Sequence, residues 1–580
     1  MAKISNQAIA EILAEIGEYL EMQKVPFKPR AYEKAAEAVG AFGEDVCEFY
    51  KKGGIHALEA IPGVGASIAE KIEELVTTGK CAYFESLKKK TPVDLEGLTK
   101  VEGLGPSSVH KLYEKLKVRN LEDLEKAAKS GKIKKLEGFG AKSEENILKG
   151  IAFLKKSSGR FVLGFAMPEI RGIEERLKKL NGVEKLMVAG SVRRKKETIG
   201  DVDILIVARS PKPVMDYFVS MPEVVRVYAH GETKSAIKIR SGLDVDLRVV
   251  PPESYGAALN YFTGSKDHNV ALRVLAQKKK LKLNEYGLFR GKKMIAGRTE
   301  EELYRALGMD YIEPEMRENT GEIELAQKGK LPKLVGYDEL EGDLQVQTDW
   351  TDGSASIEEM ARTAAKMGLS YVAITDHTKR LAMTHGLDEK RILKQMAEID
   401  RVNKKLRASG VKCRVLKGTE CDILKDGSLD LPDAVLSKLE VVGASVHSHF
   451  NLPIREQTER IVRAIENPHV DILFHPTGRL IGRRPAYEVD MEAVIRAAKA
   501  TGTVLEIDAF PDRLDLQDEH IRKAVQAGVK LSIDSDAHAP AHFPYLEYGI
   551  AQARRGWATR NDIINAWDLE KMRSMLKSKR

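Results

Sequence analysis

At 580 residues the chain is too long for one hydrophobic core, so several domains are expected. Its 43% hydrophobic and 31% charged residues exclude a disordered chain, no apolar run is long enough to span a bilayer, and a formal charge of +8 leans towards a polyanionic partner. Four cysteines (Cys47, Cys81, Cys413, Cys421) without Cys-x-x-Cys spacing exclude a zinc knuckle or disulfide framework, and Glu11, Glu15, Glu18 and Glu21 make the amino terminus unlike a signal peptide, so a reducing cytoplasm is the expected compartment.

Residues 1–85 read as short amphipathic helices; AIAEILAEIGEYLEM places Ile9, Ile12, Leu13, Ile16 and Leu20 at helical spacing. Three times in the first 150 residues a Gly-x-Gly turn precedes such a helix: IPGVGASIAEKIEEL with Gly63 and Gly65, VEGLGPSSVHKLYEKL with Gly103 and Gly105, and LEGFGAKSEENILKGI with Gly138 and Gly140. One such turn merely joins helices. Three with the same apolar spacing resemble helix-hairpin-helix motifs, in which the glycine turn lets backbone N–H groups approach a phosphate. Contacts of that kind read no base sequence, so non-specific DNA binding is expected.

From about residue 160 strands and helices mix. In GSVRRKKETIGDVDILIV a Gly190-Ser191 turn precedes Asp201 and Asp203, which alternate along an apolar strand; Asp244 and Asp246 alternate along a second one. Strand side chains repeat every second residue, so each pair shares a face. A lone Asp-x-Asp arises by chance. Here the aspartates lie beside Ile-Leu-Ile-Val, where packing needs no charge and unneutralised carboxylates are costly to bury, so the pattern asks for a cation. Carboxylates on adjacent strands can hold two magnesium ions about 4 Å apart, which activate a hydroxyl and steady a leaving pyrophosphate. Nucleotidyl transfer is the expected chemistry.

Further on, YFTGSKDHN taken alone is a helix end with a buried aromatic pair, and the polar stretch MRENTGEIELAQKGKLPKLV lacks strong periodicity and reads as a linker. Beyond it, short apolar strands (YVAIT, VVGASV, DILFH, TVLEID, KLSID) alternate with helical segments, as in a barrel-like α/β repeat. Asp376-His377, His447, His475 and Asp536-Ala537-His538, with Glu420 between them, fall where such strands end. Loops that follow barrel strands converge on one face, so these residues suggest a metal site.

Through these motifs, taken in register, residues 1 to about 315 resemble a family X DNA polymerase, the family of DNA polymerase beta. The resemblance implies a multidomain chain: an α-helical lyase-like domain (1–85), fingers with helix-hairpin-helix motifs (86–155), an α+β nucleotidyltransferase palm (156–255) and a thumb (256–315), followed here by the linker (316–337). It assigns Asp201, Asp203 and Asp246 to two Mg²⁺ (or Mn²⁺) ions, with Asp246 helping to activate the primer 3′-hydroxyl and Asp244 outside the triad. Gly190, Ser191 and Arg194 would hold the β and γ phosphates, with Arg160 a further phosphate contact. Tyr261, Phe262, Thr263 and Gly264 would bound the sugar and disfavour a 2′-hydroxyl, while Asn269 and Arg273 would lie towards the nascent base pair and template. Lys71 matches the lysine that forms a Schiff base with a cleaved abasic sugar; a charged lysine touching phosphate or water is the alternative. Lys28, Tyr32 and Lys34 fit the downstream-phosphate region, whereas Ser67 and Tyr83 stand where the animal polymerase has lysines.

Residues 338–580 resemble the polymerase-and-histidinol-phosphatase (PHP) domain, an α/β distorted barrel that binds up to three metals and hydrolyses phosphoesters, often as a 3′–5′ exonuclease. Its opening motif, D-L-H-x-H-T-x-x-S-D-G, here reads DLQVQTDWTDG, with Gln345 and Gln347 at the two histidine positions. An amide oxygen is a poorer ligand for zinc or manganese than imidazole. Asp352, His377, Glu420, His447, His475, Asp536 and His538 remain, enough for one or two Zn²⁺ or Mn²⁺ ions, so exonuclease activity is expected to be weakened. The expectation is thus a monomeric DNA polymerase that uses dNTPs to fill short gaps in primer-template DNA, without membrane contact. The rivals are a phosphoesterase that uses the polymerase half as a DNA clamp, and a nucleotidyltransferase acting on RNA or a small molecule.

Overall fold

The computed structural model describes residues 4, 6–40, 42, 45–61, 63–101, 103–157, 159–381 and 384–577. The first helix, Asn6–Met22, buries Ile9, Leu13, Ile16 and Leu20, while Ile12 is only partly covered. One apolar core runs from Ile9 to Ile151, so the segments 1–85 and 86–155, expected to be separate domains, share it; the Tyr19 hydroxyl donates to the Val93 carbonyl at 2.8 Å across their junction. Helices Ala66–Thr78, Pro106–Leu116 and Ala141–Ser157 each start just after the second glycine of a Gly-x-Gly turn. The first glycines, Gly63, Gly103 and Gly138, have φ of +80°, +81° and +86°, a region that a side chain would strain.

A five-stranded sheet follows in the order Val183–Val188, Asp201–Ala208, Asp244–Val249, Lys234–Ile239, Val224–His230. Asp201–Ala208 and Asp244–Val249 pair in parallel, and the other pairings are antiparallel. The buried alternates of the central strands, Val202, Ile204 and Ile206 with Val245, Leu247 and Val249, pack on helix Leu163–Lys178. Next come helices Tyr255–Thr263 and Lys266–Lys278 and a three-stranded antiparallel sheet over 282–296.

The stretch expected to be a linker is built into the structure. It contains helix Glu322–Gln327, and Arg317 and Glu322 are fully buried. Arg317 pairs with Glu300 at 2.5 Å, and Glu322 accepts from His268 at 2.7 Å and from the Asn319 and Thr320 amides. The charges that made it look solvated are matched by partners distant in sequence.

Seven parallel strands then run in chain order: Gly342–Val346, Tyr371–Ile374, Arg414–Asp422, Val441–Ser445, Ile472–Leu473, Val504–Asp508 and Leu531–Asp534. The first and last meet through a Val346–Ala537 bridge and a hydrogen bond that the Leu344 N–H donates to the Asp534 carboxylate at 2.7 Å, which nearly closes the barrel. Alternation splits the apolar residues into two layers: Val372, Ile374 and Val442 face the surrounding helices, whereas Tyr371, Ala373, Val441 and Phe474 pack with Ile564, Trp567 and Met572 near the chain end. Among the described residues no helix is long and apolar enough to cross a membrane.

Candidate active sites

In the five-stranded sheet the parallel register sets Asp201 opposite Asp244 and Asp203 opposite Asp246. Burial raises the Asp203 carboxyl, the negative charges of Asp201 and Asp246 raise it further, and together they push it up to about 6 against the pull of Arg248 and Lys234. Asp246 meets Lys234 at 3.1 Å, and Asp244 is tied to Lys238 at 2.9 Å. Asp201, Asp203 and Asp246 therefore form a mutually repelling cluster with one close lysine, a donor set that fits divalent cations.

The Gly190-Ser191 turn is fastened to this cluster. Gly190 has φ +63°, and a Cβ there would lie 2.9 Å from Asp203 Oδ2, so glycine lets the turn press against the carboxylate. The Ala189 amide donates to the Asp203 carbonyl at 2.7 Å, and Ser191 follows, half-buried, in the helical turn Gly190–Arg193. Arg194 donates to the Thr263 carbonyl, and Arg193 to the Thr263 hydroxyl at 2.7 Å, which brings YFTGS to GSVRR. Arg193 also pairs with Glu300 at 2.6 Å; burial alone would raise Glu300, but Arg317 and Arg193 bring it down to about 2. Tyr261 is part-exposed, Phe262 lies under Arg248 at 4.6 Å, Asn269 donates to the Tyr261 carbonyl at 2.7 Å, and Arg273 donates to the Asn269 carbonyl at 3.3 Å. Arg160 is exposed and donates to the Thr198 hydroxyl at 2.8 Å.

At the amino-terminal end, Gly63, Gly65, Gly103, Gly105, Gly138 and Gly140 are all exposed. Lys71 donates to the Ser67 carbonyl and hydroxyl at 2.7 and 3.2 Å and lies 5.2 Å from the Tyr83 ring, which stacks on Tyr32. Lys28 and Lys34 are exposed at the start and the middle of helix Lys28–Gly40.

The barrel gathers the second set. Asp376-His377, His447, His475 and Asp536-Ala537-His538 all follow strand ends, and Glu420 lies within Arg414–Asp422. Glu420 is central: His377 lies 3.2 Å away, His447 3.1 Å and His475 2.8 Å. Asp352 is 3.5 Å from His377 and 3.7 Å from His538. Two groups, Asp352–His377–His538 and His377–Glu420–His447, have their ligand atoms within 4.8 Å of one another, so the residues fit a cation. Burial raises Glu420, but the His377 and His447 imidazoles hold it well below the usual carboxylate range; burial lowers His447, but Glu420 and Asp422 raise it to about 9. Gln347 donates to Glu420 at 2.9 Å, and its oxygen has no partner; Gln345 is fully buried with neither amide atom hydrogen-bonded.

Several residues here lay outside the sequence reading. Arg513 reaches Asp508 and Asp536 at 3.4 Å each from a loop with no motif, and Lys234 sits at Asp246 from the neighbouring strand. Asp422, 3.3 Å from His447, does carry a signal, because it alternates with Glu420 on one strand.

Comparison with known proteins agrees with this geometry. The DNA polymerase beta thumb family matches residues 258–318, a helix-hairpin-helix domain 4–81, a SAM-like helix-hairpin-helix tandem 95–152, and the PHP domain 343–506. A DNA polymerase/3′-5′ exonuclease PolX of Bacillus subtilis is 38% identical over 574 residues, 98% of this chain and 99% of that protein. Probable phosphatases of Thermoanaerobacter sp. and Acetivibrio thermocellus are 33% and 31% identical over 236 and 192 residues, covering 39% and 32% of this chain and 89% and 73% of theirs. Likeness to the phosphatases stops at about two-fifths of the chain, whereas likeness to the Bacillus protein runs through helical region, sheet and barrel alike, and on that footing the chain belongs to the PolX family of family X DNA polymerases with a PHP domain.

Proposed function

We propose that the protein is a template-directed DNA polymerase of the cytoplasm that fills short gaps during repair, working as a monomer on gapped or primer-template DNA with dNTPs. The observation that carries this reading is the in-register pairing of Asp203 with Asp246, with Gly190 pressed against Asp203. Asp201, Asp203 and Asp246 would hold Mg²⁺ or Mn²⁺, which supplies charge neutralisation for in-line attack on the α phosphate. Asp246 helps take the primer hydroxyl proton, while Gly190, Ser191, Arg194 and Arg160 orient the phosphates. Tyr261, Phe262 and Gly264 bound the sugar, Asn269 and Arg273 face the nascent pair and template, and the exposed hairpin glycines hold DNA phosphates without reading bases.

In the barrel, Asp352, His377, Glu420, His447, His475, Asp536 and His538 would hold Zn²⁺ or Mn²⁺ and support a 3′–5′ exonuclease weakened by Gln345 and Gln347. The side chains at 345 and 347 support this, since an amide oxygen is a poorer ligand for zinc or manganese than imidazole. Lys71, bound to Ser67, supports at most weak 5′-deoxyribose phosphate lyase chemistry.

The test is a 5′-labelled primer beside a one-nucleotide gap with a downstream phosphate, in Mg²⁺ or Mn²⁺, with and without dNTPs. Template-matched extension with little shortening is expected. Shortening without extension under both metals would make the barrel the principal active site.

A further inference from the structure

We infer that Arg555, on the barrel-domain helix Leu546–Arg555, is a positioning residue for the incoming nucleotide's triphosphate, acting through Glu318 and Arg194. The inference rests on the reading of Arg194 as a triphosphate contact. The Arg555 side chain is only 2% exposed. Its Nη1 donates to the Arg194 carbonyl at 2.9 Å and to Glu318 at 3.0 Å, and its Nη2 to Asp518 at 2.5 Å. Glu318 also accepts from Arg194 Nε at 3.2 Å and lies 3.8 Å from Lys196 Nζ. One barrel guanidinium thus grips both the backbone of Arg194 and the carboxylate that aims its side chain.

The neighbouring residues are fastened to the same domain. Lys195 pairs with Glu547 at 2.8 Å and Glu197 with Arg479 at 2.8 Å. A turn that must meet a highly charged phosphate chain is therefore braced by the barrel domain. The charge pattern supports a role beyond packing. Arg194, Lys196 and Arg555 share Glu318, with Asp518 taking the other face of Arg555, so three cations meet two carboxylates and positive potential remains for the phosphates. Its planar fork supplies directional bonds that a lysine lacks.

The test is single-nucleotide gap filling by the full chain, with kcat and KM for dNTP measured for Arg555→Ala, Arg555→Lys, Arg194→Ala and Arg194→Ala/Arg555→Ala, alongside DNA affinity. Arg555→Ala is expected to raise KM about fivefold or more with kcat and DNA affinity nearly unchanged, Arg555→Lys to give an intermediate KM, and the Arg555 effect to shrink severalfold once the Arg194 side chain is gone, leaving the part carried by the backbone carbonyl. A normal KM in Arg555→Ala, beside a raised KM in Arg194→Ala, overturns the inference and leaves the reading of Arg194 standing. A normal KM in Arg194→Ala overturns that reading itself. Should Arg555→Ala not fold, Arg555→Lys keeps charge and stem and reads the same parameter, a wild-type KM counting against the fork.

Discussion

The palm and the barrel both gather acidic side chains at strand ends, yet they balance the charge differently. In the palm, Asp201, Asp203 and Asp246 repel one another against the pull of Arg248 and Lys234, and Asp203 is driven up to about 6. In the barrel, Glu420 is ringed by His377, His447 and His475, and Arg513 lies beside Asp508 and Asp536. The palm aspartates keep enough mutual repulsion to favour cations despite Arg248 and Lys234, whereas around Glu420 the interleaved imidazoles supply the counter-charge.

Breaking the palm cluster has the largest expected effect on function. Asp201→Ala, Asp203→Ala or Asp246→Ala should lower incorporation by about a thousandfold or more, some 4 kcal/mol of transition-state stabilisation, with DNA affinity retained in a gel-shift assay. Full incorporation by any one of them would overturn the metal assignment. Repairing the barrel comes next: Gln345→His with Gln347→His should raise bound metal and exonuclease rate by about ten- to a hundredfold, read by metal analysis and primer shortening. No gain in either would place the deficit elsewhere in the barrel.

Stability sharpens the contrast because the two sites should respond with opposite sign. In metal-free protein Glu420→Gln removes the anion that the imidazoles surround and should cost about 3 kcal/mol, whereas Asp203→Asn relieves repulsion and should stabilise by about 1 kcal/mol, both read by denaturant titration. Equal signs would refute the distinction. Smaller still is a pH effect. The Asp203 proton competes with a cation, so Mg²⁺ affinity in the palm should weaken as pH falls through about 6 and level off above it, as Mg²⁺ titration at several pH values would reveal. The faintest signal expected is borohydride trapping of abasic DNA at Lys71, lost in Lys71→Ala; strong trapping would mean that Ser67 releases the amine.

Much of this was legible in the chain itself, because some features are local. Helical spacing marked Ile9, Leu13, Ile16 and Leu20, and repetition exposed the three glycine turns. Period-two alternation put Asp201 with Asp203, and Asp244 with Asp246; strand-end spacing flagged the barrel histidines. Each rests on geometry that repeats over a few residues, so the spacing alone carries it.

Register and long-range charge pairing belong to the tertiary structure alone. No local pattern sets Asp201 opposite Asp244 and Asp203 opposite Asp246 until the two strands align. The segment read as a linker is polar on paper, yet Arg317 and Glu322 are buried because Glu300 and His268 meet them from elsewhere. Arg555 lies 361 residues from the carbonyl it grips, and Arg513 belongs to no motif. A charge is tolerated in the interior only when an opposite charge or a hydrogen-bond partner is brought to it, and where that partner comes from is decided by how the domains fold together.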